Sequence, residues 1–193
     1  MIRLVVFDWD GTLMDSEARI VDAMRAAFSR HDVAPPAPAA VREIIGLDLG
    51  DAVARLAPPT GPAPLGAIVQ AYRQIYAGLH SVPSPLFDGV EDVLRTLRDT
   101  GLLLAIATGK SRRGLDRALE EAGIGHYFAT SRCGDESAPK PAPDMLADIL
   151  ADLAFAPADA VMVGDTEFDL AMAAAASVRA AGVTYGAHPR ERL

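Results

Sequence analysis

The sequence is poor in cysteine, in basic residues and in long apolar runs. Cys133 is the single cysteine, so no internal disulfide can form, which is compatible with a reducing cytoplasm. The chain has 18 basic and 26 acidic residues, a net charge of −8, which argues against binding nucleic acids or anionic membranes. No apolar run reaches the roughly 18 residues of a membrane helix, and the N-terminal run is too short for a signal peptide. We therefore expect a cytoplasmic monomer or homodimer with no nucleic-acid or membrane partner.

What the chain does have is apolar material in short runs, with half of its residues hydrophobic. The runs are continuous rather than alternating, which is typical of strands buried on both faces. Stripes at helical spacing lie between them. Strands that alternate with helices predict an α/β fold, a doubly wound parallel sheet with right-handed crossovers. The predicted strands are residues 2–7, 102–108, 127–131, 160–164 and 178–183.

The stretch from residue 16 to residue 84 breaks this alternation, since it has helical stripes but no convincing strand. Ser16 stands where a hydroxyl would cap the first of these helices. Residues 81–85, rich in proline and serine, look like the linker back to the sheet. We predict a catalytic core of residues 1–15 and 85–193, with a helical cap of residues 16–84 inserted after the first strand. The glycine-bounded cap loop of residues 46–50 could reach down over the substrate or could be a plain turn.

Polar side chains follow the predicted strands at the points where they end. In open parallel sheets, ligands bind in the crevice outside the carboxyl ends of the strands. These side chains are therefore expected to meet in one crevice, together with a lysine that precedes a later helix. They are Asp8 and Asp10, Thr108, Lys140, and Asp165 with Asp169.

Several carboxylates in one crevice repel each other, and a divalent cation offsets that repulsion. Oxygen ligands with no histidine or cysteine nearby favour Mg²⁺ over Zn²⁺. The Thr108 hydroxyl and the Lys140 ammonium group would then hold phosphate oxygens. One carboxylate can act as a nucleophile and form an aspartyl phosphate, while a second acid two residues on protonates the leaving oxygen. The pattern indicates phosphoryl-transfer chemistry.

These segments resemble the four signature motifs of the haloacid dehalogenase superfamily, specifically its phosphatase branch. The first motif, D-x-D-G-T, is matched by residues 8–12, and the second, a Ser or Thr that ends a strand, by Thr108. The third, a lysine, is matched by Lys140, and the fourth, G-D-x-x-x-D, by residues 164–169. The resemblance covers essentially the whole chain, and the insert resembles the small cap of phosphoglycolate-phosphatase-like and phosphoglucomutase-like members. Trp9 replaces the commoner Phe or Leu, and its side chain is expected to point away from the site.

The resemblance implies an Mg²⁺-dependent phosphatase that acts on a small phosphorylated metabolite such as phosphoglycolate. It implies that Asp8 is the nucleophile and a metal ligand, and that Asp10 is the general acid and base with its backbone carbonyl on the metal. Asp165 would be a further metal ligand, and Asp169 would support the metal shell or Lys140. The phosphate would be bound by Thr108, the backbone of Gly109, and Lys140.

Four other interpretations compete with this one. A phosphoglucomutase-like phosphotransferase uses the same pair of aspartates and differs in releasing no free phosphate. A dehalogenase needs neither the second acid nor Mg²⁺, so Asp10 argues against it, and the intact acid set argues against a non-catalytic binding protein. Residues 109–111 resemble the end of a Walker A loop, but Leu104 stands where that motif needs glycine. Arg112 and Arg113 fit a solvated helix face.

Overall fold

A five-stranded parallel sheet forms the centre of the fold in the computed structural model, which describes residues 1–58, 64–79 and 82–193. The strand order is β3-β2-β1-β4-β5, and β1 pairs with both β2 and β4, so that Phe7 lies opposite Ile106 and Val163. This confirms the predicted doubly wound α/β fold. The strands are β1 (Leu4–Phe7), β2 (Leu103–Thr108), β3 (Thr130–Cys133), β4 (Ala160–Gly164) and β5 (Arg179–Gly182).

Helices cover both faces of the sheet. Because successive side chains of a strand point to opposite faces, Val5 and Phe7 of β1 pack in one apolar cluster, and Leu4 and Val6 pack in another. Three short 3₁₀ turns, Gly125–Tyr127, Pro157–Asp159 and Arg190–Arg192, complete the described elements. The helices are α1 (Glu17–Ser29), α2 (Pro38–Arg42), α3 (Leu49–Leu56), α4 (Leu65–Gly78), α5 (Val90–Asp99), α6 (Arg112–Ala122), α7 (Asp144–Leu153) and α8 (Glu167–Ala175).

The predicted third strand was placed too early in the chain. Tyr127 belongs to a 3₁₀ turn and is buried in the core, and β3 begins only at Thr130. The prediction followed hydrophobicity, but β3 lies at an edge of the sheet and three of its four residues are only half-buried. Its polar side chains therefore carry no apolar signal.

The fifth strand departs from the expectation in another way. All four residues of β5 are exposed, so the prediction that it is covered on both faces is wrong. This strand forms the opposite edge of the sheet and pairs with β4 alone. An edge strand does not need the continuous apolar sequence of a central one.

The helices α1 to α4 lie within the predicted cap, whose described residues contain no strand. Their apolar faces share a cluster that includes Met24, Phe28 and Ile68, and Phe168 of α8 packs into the same cluster. Residues 59–63 and 80–81, which include the first residue of the predicted linker, lie outside the described residues. The exact division into core and cap stays a prediction. In the described part of the chain, no helix has the length and apolarity needed to cross a membrane.

Candidate active site

The carboxyl ends of β1, β2 and β4 bring the predicted site residues together. Asp8 directly follows β1, and its backbone N–H donates to the Val163 carbonyl at 2.9 Å. Thr108 is the last residue of β2, and Asp165 directly follows β4. All three side chains are almost completely buried, which is unusual for aspartate unless it is paired or holds a cation.

Lys140 joins two of these acids from the loop before α7. Its Nζ donates to Asp8 Oδ1 at 2.7 Å and to Asp169 Oδ1 at 2.7 Å, and all three side chains are at most 1% exposed. Burial lowers the pKa of Lys140, but the two carboxylates outweigh it and the pKa is raised above its usual range. The lysine is therefore held as a cation.

Asp169 has a second role in the fold. Its Oδ2 accepts hydrogen bonds from the Thr166 backbone N–H at 3.1 Å and from Thr166 Oγ1 at 2.7 Å, as part of a capping box at the start of α8. Its other oxygen, Oδ1, accepts from Lys140, and contact with Lys140 is one of the two roles suggested for this residue.

The carboxylates of Asp8, Asp165 and Asp169 form a cluster in which one oxygen of each lies within 4.8 Å of the others. Asp165 Oδ1 accepts from Thr12 Oγ1 at 2.9 Å, and its Oδ2 accepts from the Ala187 N–H at 2.7 Å. Within the described residues, Asp8 Oδ2 is buried without a hydrogen-bond partner. A buried carboxylate oxygen with no partner, in an all-oxygen donor set, fits a hard divalent cation such as Mg²⁺.

Burial also shifts the proton affinities in this cluster. It raises the pKa of Asp8 well above its usual value, although Lys140 opposes the shift. It raises the pKa of Asp165 to about 6, against the hydrogen bonds from Ala187 and Thr12. Both directions describe carboxylates that lack sufficient positive charge nearby, which a bound cation would provide. Gly11 is required beside them, since its φ is +86° and a Cβ there would collide with Asp165 Oδ2.

Asp10 points to a different set of partners. Its Oδ1 accepts a hydrogen bond from Ser16 Oγ at 2.6 Å, and Lys110 Nζ lies 2.9 Å from both Oδ1 and Oδ2. Ser16 does precede α1, but its side chain makes no capping bond, so the predicted capping role is wrong. The Ser16 hydroxyl instead donates to Asp10.

The predicted phosphate-binding residues lie under the cap loop. Thr108 Oγ1 accepts from the Lys110 N–H at 3.2 Å, which tightens the turn around Gly109. A Cβ at Gly109 would lie 2.9 Å from the Gly46 carbonyl and would strike the Leu47 carbonyl as well. The loop of residues 46–50 therefore reaches the site, as the sequence suggested. Within it, Asp48 caps α3 by accepting from the Gly50 N–H at 2.7 Å.

A cavity of about 600 Å³ lies between the carboxyl ends of the strands and the cap helices. That size suits a small organic ligand. Core residues Asp8, Asp10 and Thr108 line it, and Tyr76 of α4 and Arg19 of α1 line it from the cap. Trp9 does not line the cavity. It is fully buried in the same core cluster as Val5 and Phe7, pointing away from the site as expected.

Sequence reasoning missed Lys110 and Tyr76, which meet at this cavity. In the sequence, Lys110 belongs to the segment that resembles the end of a Walker A loop. Its position two residues beyond Thr108 nevertheless places it at the same strand end. Arg112 instead lies outside the cavity, where it pairs with Glu136 at 2.7 Å. Cys133 is buried and burial raises the pKa of its thiol to about 12, which fits a packing role rather than a nucleophile.

Comparisons with known proteins agree with this geometry. The family model described as "Haloacid dehalogenase-like hydrolase" matches residues 5–183. A protein of Dickeya dadantii named "Probable phosphatase IndB" is 37% identical over 197 residues, covering 100% of this chain and 86% of its own. Phosphoglycolate phosphatase 1 of Pseudomonas aeruginosa is 35% identical over 195 residues, covering 95% of this chain and 70% of its own.

A solved structure shows the same architecture. It is a haloacid dehalogenase-like family hydrolase from Streptococcus pneumoniae, which superposes with a TM-score of 0.87 at 26% identity. The match covers 100% of this chain and 89% of that one. The shared fold therefore includes both the sheet and the helices of the predicted cap.

Proposed function

This chain belongs to the haloacid dehalogenase-like hydrolases, and on that premise we propose that it is an Mg²⁺-dependent phosphatase that hydrolyses a small phosphorylated metabolite through a phosphorylated Asp8. The observation that carries the proposal is the state of Asp8. Lys140 holds one of its oxygens, while the other is buried with no partner in the described residues. An oriented carboxylate of this kind, at the edge of a ligand-sized cavity, suits attack on phosphorus.

The reaction runs in two balanced steps. In the first, an oxygen of Asp8 attacks phosphorus and the bond from phosphorus to the leaving oxygen breaks. Asp10 gives its proton to that oxygen, so the product leaves as an alcohol. In the second, Asp10 takes a proton from water while the water oxygen attacks phosphorus, and the bond to Asp8 breaks. The products are the alcohol and inorganic phosphate, with both aspartates restored.

The remaining site residues position the phosphoryl group. Lys140, the Thr108 hydroxyl and the Gly109 backbone N–H would hold its oxygens, and Lys140 also keeps Asp8 in one orientation. The carboxylates of Asp8 and Asp165 and the backbone carbonyl of Asp10 would hold Mg²⁺, with Asp169 beside them. When bound, the ion supplies positive charge that offsets the charge of the phosphoryl oxygens.

The cap argues for a small substrate. Its loop of residues 46–50 already rests against Gly109, and Tyr76 reaches the cavity from α4. A cap that closes over the site would exclude water during attack and would leave no room for a folded protein substrate. Phosphoglycolate is the first candidate, because a relative that is 35% identical carries the name of a phosphoglycolate phosphatase.

The direct test is to measure inorganic phosphate released from phosphoglycolate, a sugar phosphate, a nucleotide and a phosphopeptide at equal concentrations. We expect small metabolites to give the highest kcat/KM, chelation to stop release, and added Mg²⁺ to restore it. Asp165→Ala should raise the Mg²⁺ concentration needed for half-maximal activity, since a ligand is lost.

Three results would contradict the proposal. Full activity in excess chelator would exclude a requirement for Mg²⁺. A phosphopeptide as the best substrate would exclude a cap that selects small substrates. A phosphoryl group that moves to another position of the sugar, without release of phosphate, would show a mutase instead.

The role of Asp10 gives a separate prediction. Asp10→Asn cannot donate a proton, and general acid catalysis contributes on the order of 10²–10⁴-fold, so we expect a loss in this range for an alkyl phosphate. The loss should be much smaller for para-nitrophenyl phosphate, whose leaving group needs little protonation. The measurement is kcat/KM on both substrates. Asp135→Asn, the same change at an exposed residue lining the cavity, is the matched control. Equal losses on both substrates would mean that Asp10 only positions the metal.

A further inference from the structure

Lys110 is bound in a way that conflicts with the role of Asp10. Its Nζ lies 2.9 Å from both carboxylate oxygens, and the two side chains are only 11% and 13% exposed. The Ser16 hydroxyl donates to the same carboxylate at 2.6 Å. With an ammonium group at hydrogen-bond distance from both of its oxygens, this carboxylate has no free oxygen with which to protonate a leaving group. The pair must open before Asp10 can act as an acid.

Opening the pair is costly unless Lys110 gains another anion. Removing one partner from a largely buried ion pair leaves the other charge without compensation. The surroundings of Lys110 do not replace Asp10: in the described residues its other side-chain contacts are with Tyr76, whose hydroxyl lies 3.4 Å away and whose ring centroid lies 4.8 Å away. Neither the hydroxyl nor the ring of Tyr76 is a carboxylate that could take the place of Asp10.

The cavity supplies the place for a replacement. Lys110 and Asp10 line it together with Asp8, so that a molecule with its phosphoryl group at Asp8 extends into the same space. Tyr76 comes from cap helix α4 and fixes Lys110 there, while Arg19 of α1 binds the Tyr76 carbonyl at 2.8 Å and stacks on its ring at 4.7 Å. The cap thus contacts the lysine at the cavity through Tyr76.

We propose that Lys110 is a specificity-determining residue that exchanges Asp10 for a second anionic group of the substrate, a carboxylate or a second phosphate, and thereby frees Asp10 for proton transfer. This inference rests on the proposed phosphatase function. A substrate with a neutral remainder can still bind through its phosphoryl group, but it opens the Lys110–Asp10 pair without compensation. Its disadvantage therefore falls on kcat and not only on KM, because the interaction is realised during the reaction.

The test uses two pairs of substrates in which a carboxylate is replaced by a neutral hydroxymethyl group. The pairs are phosphoglycolate with 2-hydroxyethyl phosphate, and 3-phosphoglycerate with glycerol 3-phosphate; phosphate release in Mg²⁺ is measured for each. Since a charged hydrogen-bonded contact is lost, the wild-type kcat should favour the carboxylate of at least one pair by roughly 10- to 100-fold. Lys110→Met should reduce that ratio to about three or less, and Lys110→Arg should retain most of it.

The control is Arg113→Met, which removes one positive charge from an exposed residue lining the same cavity and should leave the ratio unchanged. A wild-type ratio near one for both pairs would overturn the inference, and this measurement needs no variant. A Lys110→Met variant that loses activity equally on both members of a pair would also overturn it, since a merely structural lysine behaves in that way. If no substrate of either pair released phosphate, the proposed function itself would fail.

Discussion

Asp8→Asn should lose essentially all phosphate release while keeping the fold. The asparagine amide has almost the same shape as the carboxylate, and its oxygen can still accept from Lys140, but it cannot form the phosphorylated intermediate. We expect less than about one thousandth of wild-type kcat, the scale on which loss of a nucleophile acts. Release above a few per cent of the wild-type rate would exclude the aspartyl-phosphate mechanism.

The same variant makes a prediction about stability. Burial raises the pKa of Asp8, so its charge is unfavourable in the folded protein without a cation. Removing that charge should leave the melting temperature unchanged or slightly higher in chelator. It should also reduce the increase in melting temperature on adding Mg²⁺, because a ligand is lost. Asp15→Asn, at an exposed neighbouring aspartate, controls for the substitution itself.

Lys140→Met should lose both activity and stability. The lysine is fully buried between Asp8 and Asp169, and breaking a buried ion pair from one side costs about 3–5 kcal/mol. Activity should fall with it, since Lys140 both orients Asp8 and would bind the phosphoryl group. Urea unfolding in chelator measures the stability, and phosphate release measures the activity.

Two comparisons sharpen this experiment. Asp8→Asn/Lys140→Met removes charges of both signs, so it should recover part of the stability lost in Lys140→Met, although it stays inactive. Lys110→Met makes the same change at a pair that is partly exposed, and should destabilise less. A Lys140→Met variant as stable as the wild type would contradict a stabilising role for this buried ion pair.

The central strands were predictable because a strand that is buried on both faces has a continuous run of apolar residues. β1 is covered on both faces, and its sequence is a continuous apolar run that ends at Asp8, the proposed nucleophile. The two edge strands were harder: β3 contains Ser131 and Arg132, and β5 is exposed. No rule based on apolar runs can find the boundaries of strands that are not buried.

Some residues of the candidate site were predictable from the sequence and others were not. Residues at strand ends, such as Asp165, could be found because the topology of a parallel sheet brings strand ends together. The pairing of Lys110 with Asp10, 100 residues apart in the chain, depends on how the cap helix carrying Tyr76 packs over the sheet. Ser16 shows a different limit, since its position predicts a helix cap but its hydroxyl donates to Asp10 in the preceding turn.

Asp169 belongs both to the start of a helix and to the candidate active site. One of its oxygens accepts a hydrogen bond from Thr166 at the start of α8 and the other accepts one from Lys140, so a single carboxylate serves both the helix and the proposed chemistry. A lineage that lost the need for the reaction could not discard this residue without also weakening the helix. The acid would therefore outlast the activity, and descendants that still carry it at this position need not all be active enzymes.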